Sequence, residues 1–369
     1  MNASIPVSKL NQALKIVALA VERKVTIPVL SCLRMEQLPT GVALETTDLD
    51  LAIRAVLKDE KGGPKTPLVM PAEHFISWTK LLSGDDVKIS STDKRATLTS
   101  GRARAALPVF NVNQWPADTI PELAGDSLTF ASDSLKRALS FAAISMSTTE
   151  SRYVINGILL QGDGNKLQVV STDGHCMTIY TVASHEKINL FMPAKLIKAV
   201  LPLMKDDDSA LDLKFDDNRI MATIDDKTGS IYLASRKLAG KFPAWEAVIP
   251  SEKRVSIIAD VRELLESLER CILLSEKDSG CVKLTFADQI TIEASSTLNG
   301  EAHETVECEG HSDNPITIGV CGDFLLSLLR KLDGKIAIEI PPNNSSALAF
   351  KAEPHEGETL SYIAMPMRF

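Results

Sequence analysis

Asp173, His175 and Cys176 fall within four consecutive positions, and an acid, an imidazole and a thiol are the ingredients of nucleophilic catalysis. Their spacing argues against that use. Adjacent residues on a strand point to opposite faces, and Thr172-Asp173-Gly174 reads as a turn, so His175 is expected as a turn histidine holding a hydrogen bond. Cys308 and His311 have a C-x2-H spacing, but no second pair at zinc-site spacing accompanies them. His303 opens an H-E-x-x-E run that lacks the second histidine of a zinc protease helix, and Gly162-Asp163-Gly164-Asn165 reads as a hairpin turn rather than a phosphate cradle. No G-x-x-x-x-G-K-[ST] run is present, so the chain is not expected to hydrolyse ATP. No catalytic residue, metal ligand set or cofactor site is expected.

The elements that must carry these residues repeat. The chain of 369 residues is three times 123 long, and each third reads as an amphipathic helix, a strand, a turn and a strand, followed by a shorter strand-helix-turn-strand unit. Asp48 and Asp173, each closing a Thr-Asp dipeptide, are 125 residues apart. Met70-Pro71 and Met192-Pro193 are 122 apart, and the matching Val320-Cys321 follows 128 later. Helices are expected over 8–24, 72–82, 133–146, 194–205, 260–274 and 322–331. Val261, Leu264, Leu265, Leu268 and Ile272 show the basis, one apolar stripe at helical spacing. Pro202 predicts a kink or an early end in the fourth helix. Strands are expected over 166–171 and 289–294, from alternation and β-branched residues. Connectors at 116–126 and 249–254 place domains at 1–120, 126–249 and 252–369, each of α+β class with two helices packed on antiparallel sheet.

Composition supports ordinary globular domains, with 44% hydrophobic and 24% charged residues. No apolar run approaches the length of a bilayer, and the first thirty residues carry charges without a signal-peptide core. Six scattered cysteines suit a reducing compartment, so a cytoplasmic location is expected. The net charge of −8 argues against a nucleic-acid partner until its distribution is considered. The six helical windows hold fourteen Lys or Arg against eight Asp or Glu, leaving the deficit of positive charge in the rest of the chain. One reading is the ordinary preference of lysine for exposed helix faces and of acids for turns. The other is a basic face built from equivalent helices, able to hold a polyanion through its phosphates without reading sequence.

Several passages are specific in combination: TIPVLSCL near the start, RYVINGILL, STDGH, LAGKFPAWEAVIP, CILLSEK and the terminal YIAMPMRF. Together they resemble the bacterial sliding clamps, the β subunits of DNA polymerase III, in order and spacing across all three thirds. The resemblance implies a three-domain DNA-clamp chain, two copies of which close head to tail into a ring around duplex DNA. Helices would line the pore and sheets would face outward. It implies a non-catalytic processivity factor, opened by a separate ATPase. Its expected partners are duplex DNA without sequence preference, a second copy, the polymerase α subunit, the clamp loader, and other polymerases and repair proteins carrying clamp-binding peptides.

The resemblance also implies sites. A pocket between the second and third domains would receive a peptide with a glutamine followed by aliphatic and aromatic residues. Matching motifs places Ile155, Thr172, Gly174, His175, Cys176, Met177, Pro243, Ala247, Val248, Ile363, Met365, Pro366, Met367 and Arg368 there. Methionine and proline suit an adaptable apolar groove. Cys176 and Ala247 stand where arginine often occurs in relatives. For DNA the resemblance favours Lys24, Lys80, Arg152, Tyr153 and Lys195, beside the charge-derived Arg23, Lys136, Arg137 and Lys198; Glu73 and Ala194 occupy positions that are often basic. Ile272 and Leu273 match an apolar dimer strip, opposed by Leu107, with Ala105 where a larger aromatic can occur. A monomeric peptide-binding scaffold with no DNA role is the competing class.

Overall fold

The computed structural model describes residues 4–22, 26–124, 127–205, 210–226, 229–250, 252, 254–276, 280–312 and 314–368. Among the described residues six α-helices occupy the six expected places, each shorter than its sequence window: α1 (Val7–Val17), α2 (Ala72–Lys80), α3 (Ser132–Ala142), α4 (Ala194–Val200), α5 (Val261–Ile272) and α6 (Gly322–Leu329). α1 tightens into a 3₁₀ turn at Ala18–Ala20. α4 stops at Val200 and passes into a 3₁₀ turn, Leu201–Leu203, that contains Pro202. Proline cannot continue the i to i−4 ladder, so the early end predicted there is observed. α5 shows how local sequence sets a helix. Asp260 caps it by accepting from the Glu263 amide at 3.0 Å, and Val261, Leu264, Ser267, Leu268 and Cys271 form its buried face.

Two compact units emerge. One holds residues 1–136 with 198–237, the other 137–197 with 238–369, so α3 and α4 contribute residues to both. In the first unit an eight-stranded antiparallel sheet runs in the order Leu68–Pro71, Cys32–Leu38, Gly41–Thr47, Leu51–Lys58, Gly229–Arg236, Arg219–Asp226, Ala210–Phe215 and Leu128–Ala131. A four-stranded sheet of Ser4–Pro6, Asp86–Ser91, Arg95–Ser100 and Ala103–Pro108 completes it. α1 packs on the strands Gly41–Thr47 and Leu51–Lys58 and against α2, which puts Leu10, Leu14 and Val17 into the core. The second unit contains a twelve-stranded sheet, in which α5 packs against α6 and the strands Gln289–Ser296 and Gly300–Glu309.

In each unit one junction joins strands from different thirds of the sequence. Leu51–Lys58 pairs with Gly229–Arg236, matching Ala52 to Ala234. Cys176–Ala183 pairs with Glu358–Ala364, matching Met177 to Ile363. Ladder hydrogen bonds thus carry the sheet across the junction, and the middle third supplies strands to both units. A hydroxyl also ties sheet to helix in both: Thr46 donates to the Val17 carbonyl at the end of α1, and Ser171 to the Ala142 carbonyl at the end of α3. The Ala142 carbonyl also accepts from the Ser145 amide at 3.2 Å, so the sheet hydroxyl adds a second bond where the helix ends. Among the described residues no helix is long and apolar enough to cross a membrane.

Candidate functional site

The turn at Thr172–Cys176 is built by its own short side chains. Asp173 Oδ1 accepts from the amides of His175 (2.8 Å) and Cys176 (2.9 Å), while the Thr172 hydroxyl donates to the Cys176 carbonyl at 2.7 Å. Gly174 sits at φ +90°, where a Cβ would be strained. The aspartate is therefore occupied with backbone amides. Cys176 is 2% exposed, and burial pushes its thiol up to about 12, so no thiolate is available near neutral pH. The acid-imidazole-thiol run is a structural turn, not a nucleophile with its base.

Immediately after the turn the strand alternates. Met177 and Ile179 face one side, where they join Leu159, Val170, Trp245, Ala349 and Ile363 in a buried apolar cluster, with Phe191, Phe242 and Ala347 packed against it. Cys176, Thr178 and Tyr180 face the other side. There Thr178 meets the Ser145 hydroxyl at 2.7 Å, and Tyr180 stacks on Phe141 of α3. Cys176 was expected among the pocket residues. Its side chain is instead turned away from Met177, because neighbouring strand residues point to opposite faces. The Trp245 indole is fixed by donating to Gln161 Oε1 at 3.1 Å.

Around this cluster lie exposed apolar side chains. Val248 is 51% and Met365 44% exposed, Pro243 and Ala247 are exposed beside them in sequence, and Ile155, Pro366 and Met367 are half-buried. The C-terminal segment is seated by backbone bonds, Met365 N to the His175 carbonyl at 2.9 Å and Met367 N to the Gly319 carbonyl at 2.8 Å. Covering the half-exposed side chain of Val248 or Met365 removes about half of the ~1.5–3 kcal/mol that complete burial of such a side chain is worth. The sequence reading missed the floor residues Leu159, Val170, Ile179 and Ala349, whose only signal was strand alternation. Trp245 lay in plain view within the quoted FPAW run.

The residues expected to meet DNA divide. Arg23 and Lys24 lie outside the described residues. Lys80 is exposed at the end of α2, Lys195 and Lys198 are exposed on α4, Tyr153 is 54% exposed, and Lys136 is half-buried on α3. Arg137 corrects the expectation. Its guanidinium pairs with Glu358, Nη2 to Oε1 at 2.7 Å and Nε to Oε2 at 3.0 Å, and Tyr180 donates to the same carboxylate at 2.5 Å. Glu358 is buried, and a buried carboxylate requires its cation, so Arg137 is held as an internal tie. Arg152 donates from Nη1 to the Asp173 carbonyl at 2.8 Å and so braces the turn. Other helical charges are likewise matched: Lys9 with Glu60, Arg262 with Glu266, Arg270 with Glu304 and Arg330 with Glu269. Lys9, Arg137 and Arg270 pair with acids outside the helices and so offset part of the positive surplus counted along them, whereas Glu266 and Glu269 already belong to that count. Of the positions noted as often basic, Glu73 is exposed in the first turn of α2 and Ala194 is buried.

Of the dimer residues, Leu107 is 9% exposed on Ala103–Pro108, the last strand of its four-stranded sheet. Ile272 is half-buried at the end of α5, and Leu273, the next residue, is 76% exposed.

Comparison with known proteins adds to this geometry. Residues 1–121 match the N-terminal domain of the DNA polymerase III beta subunit, 129–244 its central domain and 246–368 its C-terminal domain. Over 381 residues the chain is 29% identical to a Pseudomonas putida protein described as a beta sliding clamp, and over 380 residues 28% identical to that of Pseudomonas aeruginosa, with each pair covered completely. Among solved structures, the C. crescentus beta sliding clamp superposes with a TM-score of 0.89 at 25% identity, covering 100% of this chain and 98% of that one. The DNA polymerase III subunit beta of Pseudomonas aeruginosa superposes with a TM-score of 0.88 at 24% identity, covering 100% of both chains.

Proposed function

The chain belongs to the DNA polymerase III beta subunit family, the sliding clamps, and from that premise we propose that two copies encircle duplex DNA and hold their polymerase through the groove over Met177 and Ile363. As a member of the family it is a non-catalytic processivity subunit. The observation that carries the peptide reading is the cross-strand pair Met177–Ile363 on a closed apolar floor, beside the exposed Val248 and Met365. A peptide supplying an aliphatic and an aromatic side chain would cover these groups, and the adaptable methionines tolerate several such sequences. The polymerase α subunit, the clamp loader and repair proteins would compete for one groove.

For the ring, the reading rests on exposed strand edges and on exposed helical lysines. Ala103–Pro108 ends its sheet, and Gly300–Glu309 pairs with Val255–Asp260 only at Cys308 and Glu309. Such edges are ordinarily covered, and a second copy would cover them, with Leu273 and Leu107 at the contact. Lys80, Lys195 and Lys198 would meet phosphates, giving binding that is weak, sequence-independent and salt-sensitive.

Sedimentation with and without closed circular DNA tests the assignment. A dimer that stays on closed circles and leaves when they are linearised is expected. A strict monomer never retained on circles defeats the clamp and leaves the peptide scaffold. Charge reversal at Lys80, Lys195 and Lys198 together should shorten the lifetime on linear DNA and lower the salt slope by about one per lost contact, leaving dimerisation intact.

A further inference from the structure

We propose that Cys281 and Cys321 form a thiol modification site, in which a low-molecular-weight disulfide converts the pair into a cross-strand disulfide beside the C-terminal segment. The two cysteines are directly opposed in the antiparallel ladder of Cys281–Phe286 and Ile316–Cys321. Their class of pairing follows from the neighbouring bonds. The Gly322 amide donates to the Gly280 carbonyl at 2.8 Å, so the adjacent pair is the hydrogen-bonded one. Two residues from Cys321, Gly319 turns its carbonyl away from Lys283 to accept from Met367 at 2.8 Å. Cys281 and Cys321 therefore occupy a non-hydrogen-bonded position, where α-carbons approach to about 4.5 Å. That lies within the roughly 4.4–6.8 Å that disulfides span.

A second observation shows that side chains at this register touch. Thr285 and Thr317, four residues along on the same face and in the same class of pair, have their hydroxyls 2.8 Å apart. Both cysteines are half-buried on the face opposite the core residues Val282 and Val320, and both are reduced. Cys281 also lines a cavity of about 530 Å³, with Lys283, Arg368, His303, Glu276, Glu293 and Glu301 around it. Cationic and anionic groups together suit a zwitterionic reagent carrying carboxylates and an ammonium, such as glutathione disulfide. Cys281 is accordingly the residue attacked from outside.

The exchange balances. The Cys281 thiolate attacks one sulfur of the external disulfide and expels the first small thiolate. Cys321 as thiolate then attacks the Cys281 sulfur and expels the second. The two protein thiols lose two electrons and two protons, and the external disulfide leaves as two thiols. Burial, with Cys321 alongside, holds the Cys281 thiol above its ordinary range, so the thiolate is scarce and exchange is slow near neutral pH.

The test incubates the full-length native chain with glutathione disulfide at mildly alkaline pH, alkylates residual thiols, and maps peptides by mass. Expected is one peptide pair linking Cys281 to Cys321, both thiols lost to alkylation and recovered after reduction, with Cys32, Cys176 and Cys271 never linked. In a Cys321→Ser chain the mixed disulfide should stay on Cys281. The proposal is overturned if Cys281 and Cys321 of the native chain remain alkylatable, or if glutathione persists on Cys281 while Cys321 stays reduced.

Discussion

The junctions at Asp48 and Asp173 are built alike and floored differently. At both, a Thr-Asp pair makes the same turn: Asp48 Oδ1 accepts from the amides of Asp50 and Leu51, and Asp173 Oδ1 from those of His175 and Cys176. Both have a tryptophan from just before the following connector, Trp115 or Trp245, buried with its indole hydrogen donated. The ladder positions beneath them carry opposite chemistry. Where Leu159, Val170 and Ile179 pair across three strands of the second, Arg34, Glu45 and Arg54 pair in the first. Glu45 is 1% exposed and accepts from Arg54 at 2.6 Å, from the Trp115 indole at 3.0 Å and from Thr119. Its connector is tied down further by Arg219 to Asp118 at 2.7 Å. One repeat spends its floor on an internal ion cluster, and the other leaves an apolar floor beside exposed Val248 and Met365. The two copies share one frame, and three side chains decide whether its floor is ionic or apolar.

The largest expected effect breaks the polar junction. Glu45→Ala leaves the Arg54 guanidinium, the Trp115 indole and the Thr119 hydroxyl without their acceptor, while Arg34 keeps Glu36, and should lower the unfolding free energy by about 3 kcal/mol, read from denaturant titration. A loss within a few tenths of a kcal/mol would show that the cluster does not hold that junction. Next, removing Met365 to Arg368 should weaken a polymerase-derived peptide by about 100-fold in fluorescence anisotropy, with the oligomeric state unchanged. Unimpaired affinity would place the peptide elsewhere. Met177→Ala removes floor volume and should cost about 2–4 kcal/mol in stability, with a weaker peptide complex. Smallest is the turn itself. Leu49 holds φ 77° where the second copy has Gly174, so Leu49→Gly should stabilise by about 1 kcal/mol, seen as a small rise in Tm. An unchanged or lower Tm would mean that Leu49 contacts outweigh the strain.

Much of the fold was legible because it is written in local periodicity. The stripe of α5, the stop before Pro202 and the Gly162–Asn165 hairpin depend on residues close in sequence. The apolar cluster was not legible, since Leu159, Val170, Ile179 and Ala349 look like any strand interior until distant strands bring them together. Charge was misread for the same reason. Arg137 counts as a surface cation along α3, yet its partner Glu358 lies 221 residues away.

What the sequence alone determined is the threefold plan: element types, turn chemistry and the repeat, all set by neighbours within a few residues. It also carried the family resemblance. Only the tertiary structure decided which charges are used internally, which face of the strand at Cys176 and Met177 is apolar, and that Cys281 lies opposite Cys321. These depend on strand register and on pairing between residues tens to hundreds of positions apart, which no local pattern encodes.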